Sequence, residues 1–209
     1  MTDSPAPGSG DRPALVLTIG HSNRSLEEFI ELLKVNGANM VVDVRKMPRS
    51  RTNPQFNIDT LPASLREVGV DYVHIPGLGG LRRRAKNPVS PNTGWRNASF
   101  RAYADYMMTP EFERALDEMM SRTAAAVPAL MCAEAVPWRC HRSLIADALV
   151  VRGIDVKDII GGSRASRHVL KPWARVEGTR ITYPPEPEES DAEEAPRDSA
   201  RTLQSEGTT

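Results

Sequence analysis

Pro128-Ala-Leu-Met-Cys-Ala-Glu-Ala-Val-Pro-Trp-Arg-Cys-His-Arg-Ser-Leu-Ile-Ala-Asp-Ala-Leu149 changes character twice along its length. It opens as a continuous apolar run, passes through a polar turn holding both cysteines of the chain, and closes on apolar residues at helical spacing. An unbroken apolar run bounded by turn residues fits a strand buried on both faces, as in a parallel sheet. A strand that turns into a helix N-terminus is half of a βαβ unit, and open α/β proteins place their chemistry at that turn.

The same alternation extends on either side. Ala14 to Ile19 is a second apolar run, between Pro13 and Gly20, and Ser25-Leu-Glu-Glu28 has the form of a capping box for a helix that stops near Gly37. Met40 to Val44 and Asp71 to Ile75 read as strands, with a short helix from Leu61 to Val68 between them. Two helices follow, Ser99 to Met108 and Pro110 to Arg122, the second capped by Thr109 with proline at N1. After the Val127 to Cys132 strand come a helix from His141 to Arg152 and a strand from Val156 to Ile160. This order predicts one doubly wound α/β domain over residues 13–183. Its sheet is mostly parallel, of about five strands, with helices on both faces.

Composition narrows the setting. The 209 residues are 40% hydrophobic, enough for one sizeable core, and no stretch is apolar enough to span a bilayer. Residues 1–12 are rich in Pro, Gly and Ser without an apolar segment, and read as a disordered leader rather than a secretion signal. Two cysteines make no disulfide framework, which favours a reducing, cytoplasmic setting. The formal net charge of zero is split: residues 184–209 hold eight acids against two arginines, a net of −6, which leaves +6 on the rest. That tail reads as acidic and disordered, and the mildly basic body favours anionic partners.

In a parallel sheet the strand C-termini share one edge, so residues far apart in sequence meet there. His21, Ser22 and Asn23 follow the first strand, Asp43 and Arg45 close the second, and Cys132 and Glu134 close the fourth. Together with Asp43-Val-Arg45 and its following Pro48, the stretches Thr18-Ile-Gly-His-Ser-Asn23, Leu78-Gly-Gly80, and Cys132-Ala-Glu134 with Cys140-His-Arg-Ser143 resemble the domain-of-unknown-function family DUF488 over about residues 14–165. The resemblance implies a compact bacterial or archaeal α/β domain whose cysteine motif suggests an enzyme, without a settled reaction.

The residues themselves allow sharper expectations. Cys132 is the candidate nucleophile or thiolate ligand, its ionisation favoured by nearby arginines and a helix N-terminus, although a packed free cysteine is a common alternative. Glu134 is the candidate acid/base, and Asp43 and His21 the orienting groups. Ser22, Asn23, Arg45, Arg49, Cys140, His141, Arg142 and Ser143, with the amides near His141, are candidates for holding the substrate. Asp43 and Arg45 equally fit an ion pair that pins a loop. Cys132, Cys140 and His141, joined by His21 or Glu134, are candidate metal ligands of a zinc or iron type.

Basic clusters at Arg45 to Arg51, Arg82 to Lys86, Arg139 to Arg142 and Arg164 to Lys171 would then crowd the site edge. Phe56, Trp95, Trp138 and Trp173 lie where a base could stack. The loop Leu81 to Asn97, with Gly94-Trp95-Arg96 at its tip, fits a lid. The leading expectation is hydrolysis or group transfer on a phosphate-bearing substrate such as a nucleotide or nucleic acid. The alternatives are a non-catalytic nucleic-acid-binding module and a thiol-redox or metal-binding protein using Cys132 and Cys140.

Overall fold

Six short strands pair in the order β3-β2-β4-β1-β5-β6, and the chain's apolar runs explain why β1 and β4 lie in the middle. A computed structural model describes residues 14–82, 89–162 and 164–185. The leader and nearly all of the acidic tail, together with Arg83, Arg84 and Lys86, lie outside the described residues. β1 (Leu15–Gly20) and β4 (Pro128–Cys132) are buried almost throughout. They are flanked by β2 (Met40–Asp43) and β3 (Asp71–His74) on one side and β5 (Asp155–Ile159) on the other. All these pairings are parallel.

Strand period sorts the core into two layers. Leu17, Ile19, Val41, Ala129 and Met131 pack on α1 (Leu26–Val35) and α2 (Leu61–Glu67) through Phe29, Leu33, Leu61 and Leu65. Val16, Val42, Leu130 and Val156 pack on α3 (Ala98–Tyr106), α4 (Pro110–Thr123) and α5 (Arg142–Val150). The expected caps form: Ser25 Oγ accepts from the Glu28 amide and Thr109 Oγ1 from the Phe112 amide.

The topology fixes the position of the site. The β1–α1–β2 crossover runs toward β3 on one face, whereas β4–α5–β5 runs the other way on the opposite face. β1 and β4 are neighbours, so their C-terminal ends flank the switch point where such sheets open a crevice. There the His21 amide donates to Cys132 O at 3.0 Å and the Ser22 amide to Ala133 O at 2.9 Å.

The sheet differs from expectation at its edge. β6 (Ser166–Arg167) pairs antiparallel with β5, and β7 (Arg175–Glu177) forms a separate hairpin with β8 (Arg180–Thr182). Because β6 runs backward, Arg167 lines a hollow with Gly153 and Ile154 at the opposite edge, away from the switch point. The Gly94-Trp95-Arg96 segment is no lid tip. The Gly94 amide donates to Tyr183 O, and the Trp95 ring packs on Phe100, Trp173 and Tyr183. No described helix is long and apolar enough to cross a membrane.

Candidate active site at the sheet switch point

A cleft of about 410 Å³ opens over the ends of β1, β2 and β4, with Cys132, Cys140 and His141 in its wall. The three come from rigid places: the last residue of β4, the residue after a 3-10 turn (Pro137–Arg139), and the N-cap of α5. His141 Nε2 lies 3.2 Å from Val44 O and therefore carries the hydrogen it donates there. Its Nδ1 faces both sulfurs, 4.0 Å from Cys132 Sγ and 3.7 Å from Cys140 Sγ.

The two thiols are not equivalent. A hydrogen bond from Cys140 holds the Cys132 thiol well below its ordinary pKa against the opposing effect of burial, and His141 and the Glu134 amide add to it. Burial, and then the negative sulfur of Cys132, push Cys140 up. The two shifts run in opposite directions, favouring the thiolate at Cys132 over that at Cys140. The Arg142 amide, first in α5, lies 3.5 Å from Cys140 Sγ, so the helix N-terminus is directed at sulfur rather than left open for an anion.

The other half of the expected constellation is a tight polar knot beneath the cleft. Arg45 Nε donates to Asp43 Oδ1 at 2.9 Å and Nη2 to Oδ2 at 2.5 Å, and Tyr72 OH donates to the same carboxylate at 2.7 Å. Arg45 also donates to Phe56 O, and its Nη1 lies 3.2 Å from His21 Nε2. His21 Nδ1 donates to Ser22 O, which fixes the tautomer, and burial chiefly lowers its pKa, with Arg45 adding to that, so the ring is neutral. Every polar atom of this knot has a partner. Asp43 and Arg45 therefore take the loop-pinning arrangement, and His21 stacks on Phe56 at 4.4 Å.

Arg142 is fully buried, and its guanidinium donates to Glu134 O and Ala135 O. It holds the cysteine turn from below instead of reaching the cleft. Ser143 Oγ bonds Cys140 O and is also internal. Arg49 pairs with Asp59 at the surface at 3.0 Å, while Ser22 and Asn23 line an adjoining hollow with Asn53. Ser22 has φ 48°, an uncommon value for a residue other than glycine, right at the switch point. Phe56 is core, which leaves Trp138, 55% exposed, as the most available aromatic face among those expected.

A family model described as a domain of unknown function, DUF488, matches residues 25–149, more than half of the chain. The chain belongs to the DUF488 family. No curated protein and no solved structure matches it. The matched DUF488 segment contains Asp43, Glu134 and all three members of the cysteine–histidine cluster, and the His21–Asn23 turn lies just ahead of it.

Several wall residues of the cleft were not singled out by their chemistry in the sequence: Met47, Leu81, Ser99, Phe100 and Gly80. Gly80 had a usable signal in its Gly79-Gly80 doublet, which marks close backbone approach. A Cβ on Gly80 would lie 2.3 Å from His141 Nδ1. Gly80→Ala should therefore push the imidazole off the sulfurs and lower stability by about 1–3 kcal/mol through overpacking. Urea unfolding and site-resolved alkylation of Cys132 and Cys140 check this. Gly161→Ala, where an added Cβ meets nothing within 4 Å, should leave both thiols unchanged.

Proposed function

We propose that the chain is an enzyme that hydrolyses or transfers a phosphate-bearing group, with a nucleotide as the substrate type. The observation that carries this reading is the coincidence of the cysteine–histidine cluster with an uncommitted cation on one cleft. The Arg139 side chain is exposed, makes no hydrogen bond or ion pair among the described residues, and lines the cleft and both hollows that adjoin it. A guanidinium so placed suits a bidentate phosphate contact, and exposed Lys46 lies on the same wall.

Trp138 precedes Arg139 on the same 3-10 turn and lines the outer hollow with Phe100, where a base has an aromatic face to stack on. Glu134 is exposed over all three spaces and is the acid/base of this reading. The cluster of Cys132, Cys140 and His141 is the reactive centre.

The test uses bis-p-nitrophenyl phosphate, a panel of nucleoside phosphates and a short single-stranded oligonucleotide. Arg139→Ala should raise KM by about tenfold or more, in keeping with a lost charge-assisted contact of roughly 1.5–3 kcal/mol. Glu134→Gln should lower kcat by about 10²–10⁴-fold. A chain that binds these ligands through Arg139 and turns none of them over is a binding module, and the enzymatic reading falls.

A further inference from the structure

Cys132, Cys140 and His141 bring three ligand-type atoms together on the cleft wall. With Nε2–H directed at Val44 O, Nδ1 is the ring nitrogen turned to the cleft, and two sulfurs lie against it at 4.0 and 3.7 Å. A tetrahedral ion with bonds of about 2.3 Å to sulfur and about 2.0–2.1 Å to nitrogen needs S···N of roughly 3.5–3.6 Å and S···S of roughly 3.8 Å. The observed S···N separations exceed this by a few tenths of an ångström, and the three donor atoms all lie within 4.8 Å of one another.

The surroundings are those of a ligand set. A ring N–H anchored on a backbone carbonyl aims the other nitrogen, as second-shell partners do for metal-bound histidines. The Arg142 amide lies 3.5 Å from Cys140 Sγ and fixes the position of that sulfur. All three residues border the cleft, so a tetrahedral ion would keep a fourth position on the open side, the arrangement of catalytic rather than structural zinc. Glu134, two residues after Cys132, borders the same space without belonging to the ligand set, the place of an acid/base beside a metal-bound water.

We propose that Cys132 Sγ, Cys140 Sγ and His141 Nδ1 bind one divalent cation of the zinc class, with its fourth position open to the cleft. This deepens the reading of that cleft as the reaction centre and rests on it. Binding releases the remaining thiol proton to solvent, and no redox step is involved.

The experiment takes the full chain, strips it with a chelator under reducing conditions, and titrates it with cobalt(II), then zinc. One equivalent should bind with the visible bands of tetrahedral cobalt and a thiolate-to-cobalt charge-transfer band, both displaced by zinc. Zinc should also slow alkylation of both cysteines in the unmutated chain, a readout that needs no variant. Cys140→Ser and His141→Ala, checked for folding by circular dichroism, should weaken binding at least about 100-fold, no less than loss of a second-shell partner costs.

Alkylation at the same rate with and without zinc, or a cobalt spectrum lacking the thiolate band, overturns the proposal. Full phosphate-ester turnover by the stripped chain that binds no cobalt removes the metal and keeps the enzymatic reading. A cobalt-thiolate site on a chain with no turnover keeps the metal and removes that reading.

Discussion

His168→Gln should destabilise the chain by about 3–5 kcal/mol, the usual cost of leaving buried charge without its partner. His168 Nδ1 lies 2.8 Å from Asp158 Oδ2 and its Nε2 lies 2.8 Å from Asp147 Oδ1. Both neighbours are carboxylates, so both ring nitrogens must donate, and the ring is an imidazolium. Thr18 Oγ1 donates to the free oxygen of Asp158, and Tyr183 OH to that of Asp147. The five residues come from β1, α5, β5 and the segments after β6 and β8, so the network around one cation joins five regions of the fold. A glutamine amide can donate to one carboxylate and leaves the charge of both uncompensated.

The pH profile follows with a definite sign. Burial alone would lower the His168 pKa, but its two carboxylate partners outweigh it and raise the value from 6.5 to about 9. A raised histidine pKa gives stability that is fully present below pH 6.5 and is lost as pH rises through about 9. The loss amounts to up to about 3 kcal/mol at 1.36 kcal/mol per unit. Asp158 works at the other end: burial opposes its charge, yet hydrogen bonds from His168 and Thr18 hold its pKa below 3.8, so its contribution is lost in acid. Urea unfolding at pH 6, 7.5 and 9.5 should show the stability difference between the parent chain and His168→Gln shrinking as pH rises through about 9. Equal slopes for the two would remove the imidazolium from the account.

What could be read from the sequence divides along a physical line. Ser25 and Thr109 were recognisable because a cap is local chemistry, and β1 and β4 because burial on both faces forces an apolar run. β6 is two exposed residues and β7 three, lengths at which no period exists to detect. Within the site, the cysteine–histidine cluster was visible because its members sit within ten residues of one another. The fate of the arginines was not. Arg142 bonds Glu134 O and Ala135 O, Arg82 bonds Gly79 O and Gly77 O, and Arg45 reaches Phe56 O. Every residue type except its side chain looks alike at a carbonyl, so a guanidinium that ends on backbone leaves no trace in sequence. Of the two arginines that line the cleft, Arg45 is tied to Asp43 and Phe56 O, whereas the Arg139 side chain has no partner among the described residues.

Arg142→Met shows what that hidden role is worth. The variant keeps an unbranched side chain, but two carbonyls in the cysteine turn lose their donors, each at roughly 1–3 kcal/mol, and a drop of about 3 kcal/mol or more is expected. The turn has nowhere to relax toward β1, because Gly20 lies so near that a Cβ there would sit 1.8 Å from Glu134 O. Residues 133–136 should therefore swing outward, carrying Glu134 off the cleft and exposing Cys132. Urea unfolding gives the stability change, and faster alkylation of Cys132 together with cleavage in the turn under limited proteolysis gives the displacement. Arg139→Met, three residues earlier and exposed, should stay within about 0.5 kcal/mol of the parent chain. If the two substitutions cost the same, the buried guanidinium is not what positions the site. If Arg142→Met alone loosens the turn, Cys132, Cys140, His141 and Glu134 are held in register by a fully buried charge that does not reach the cleft.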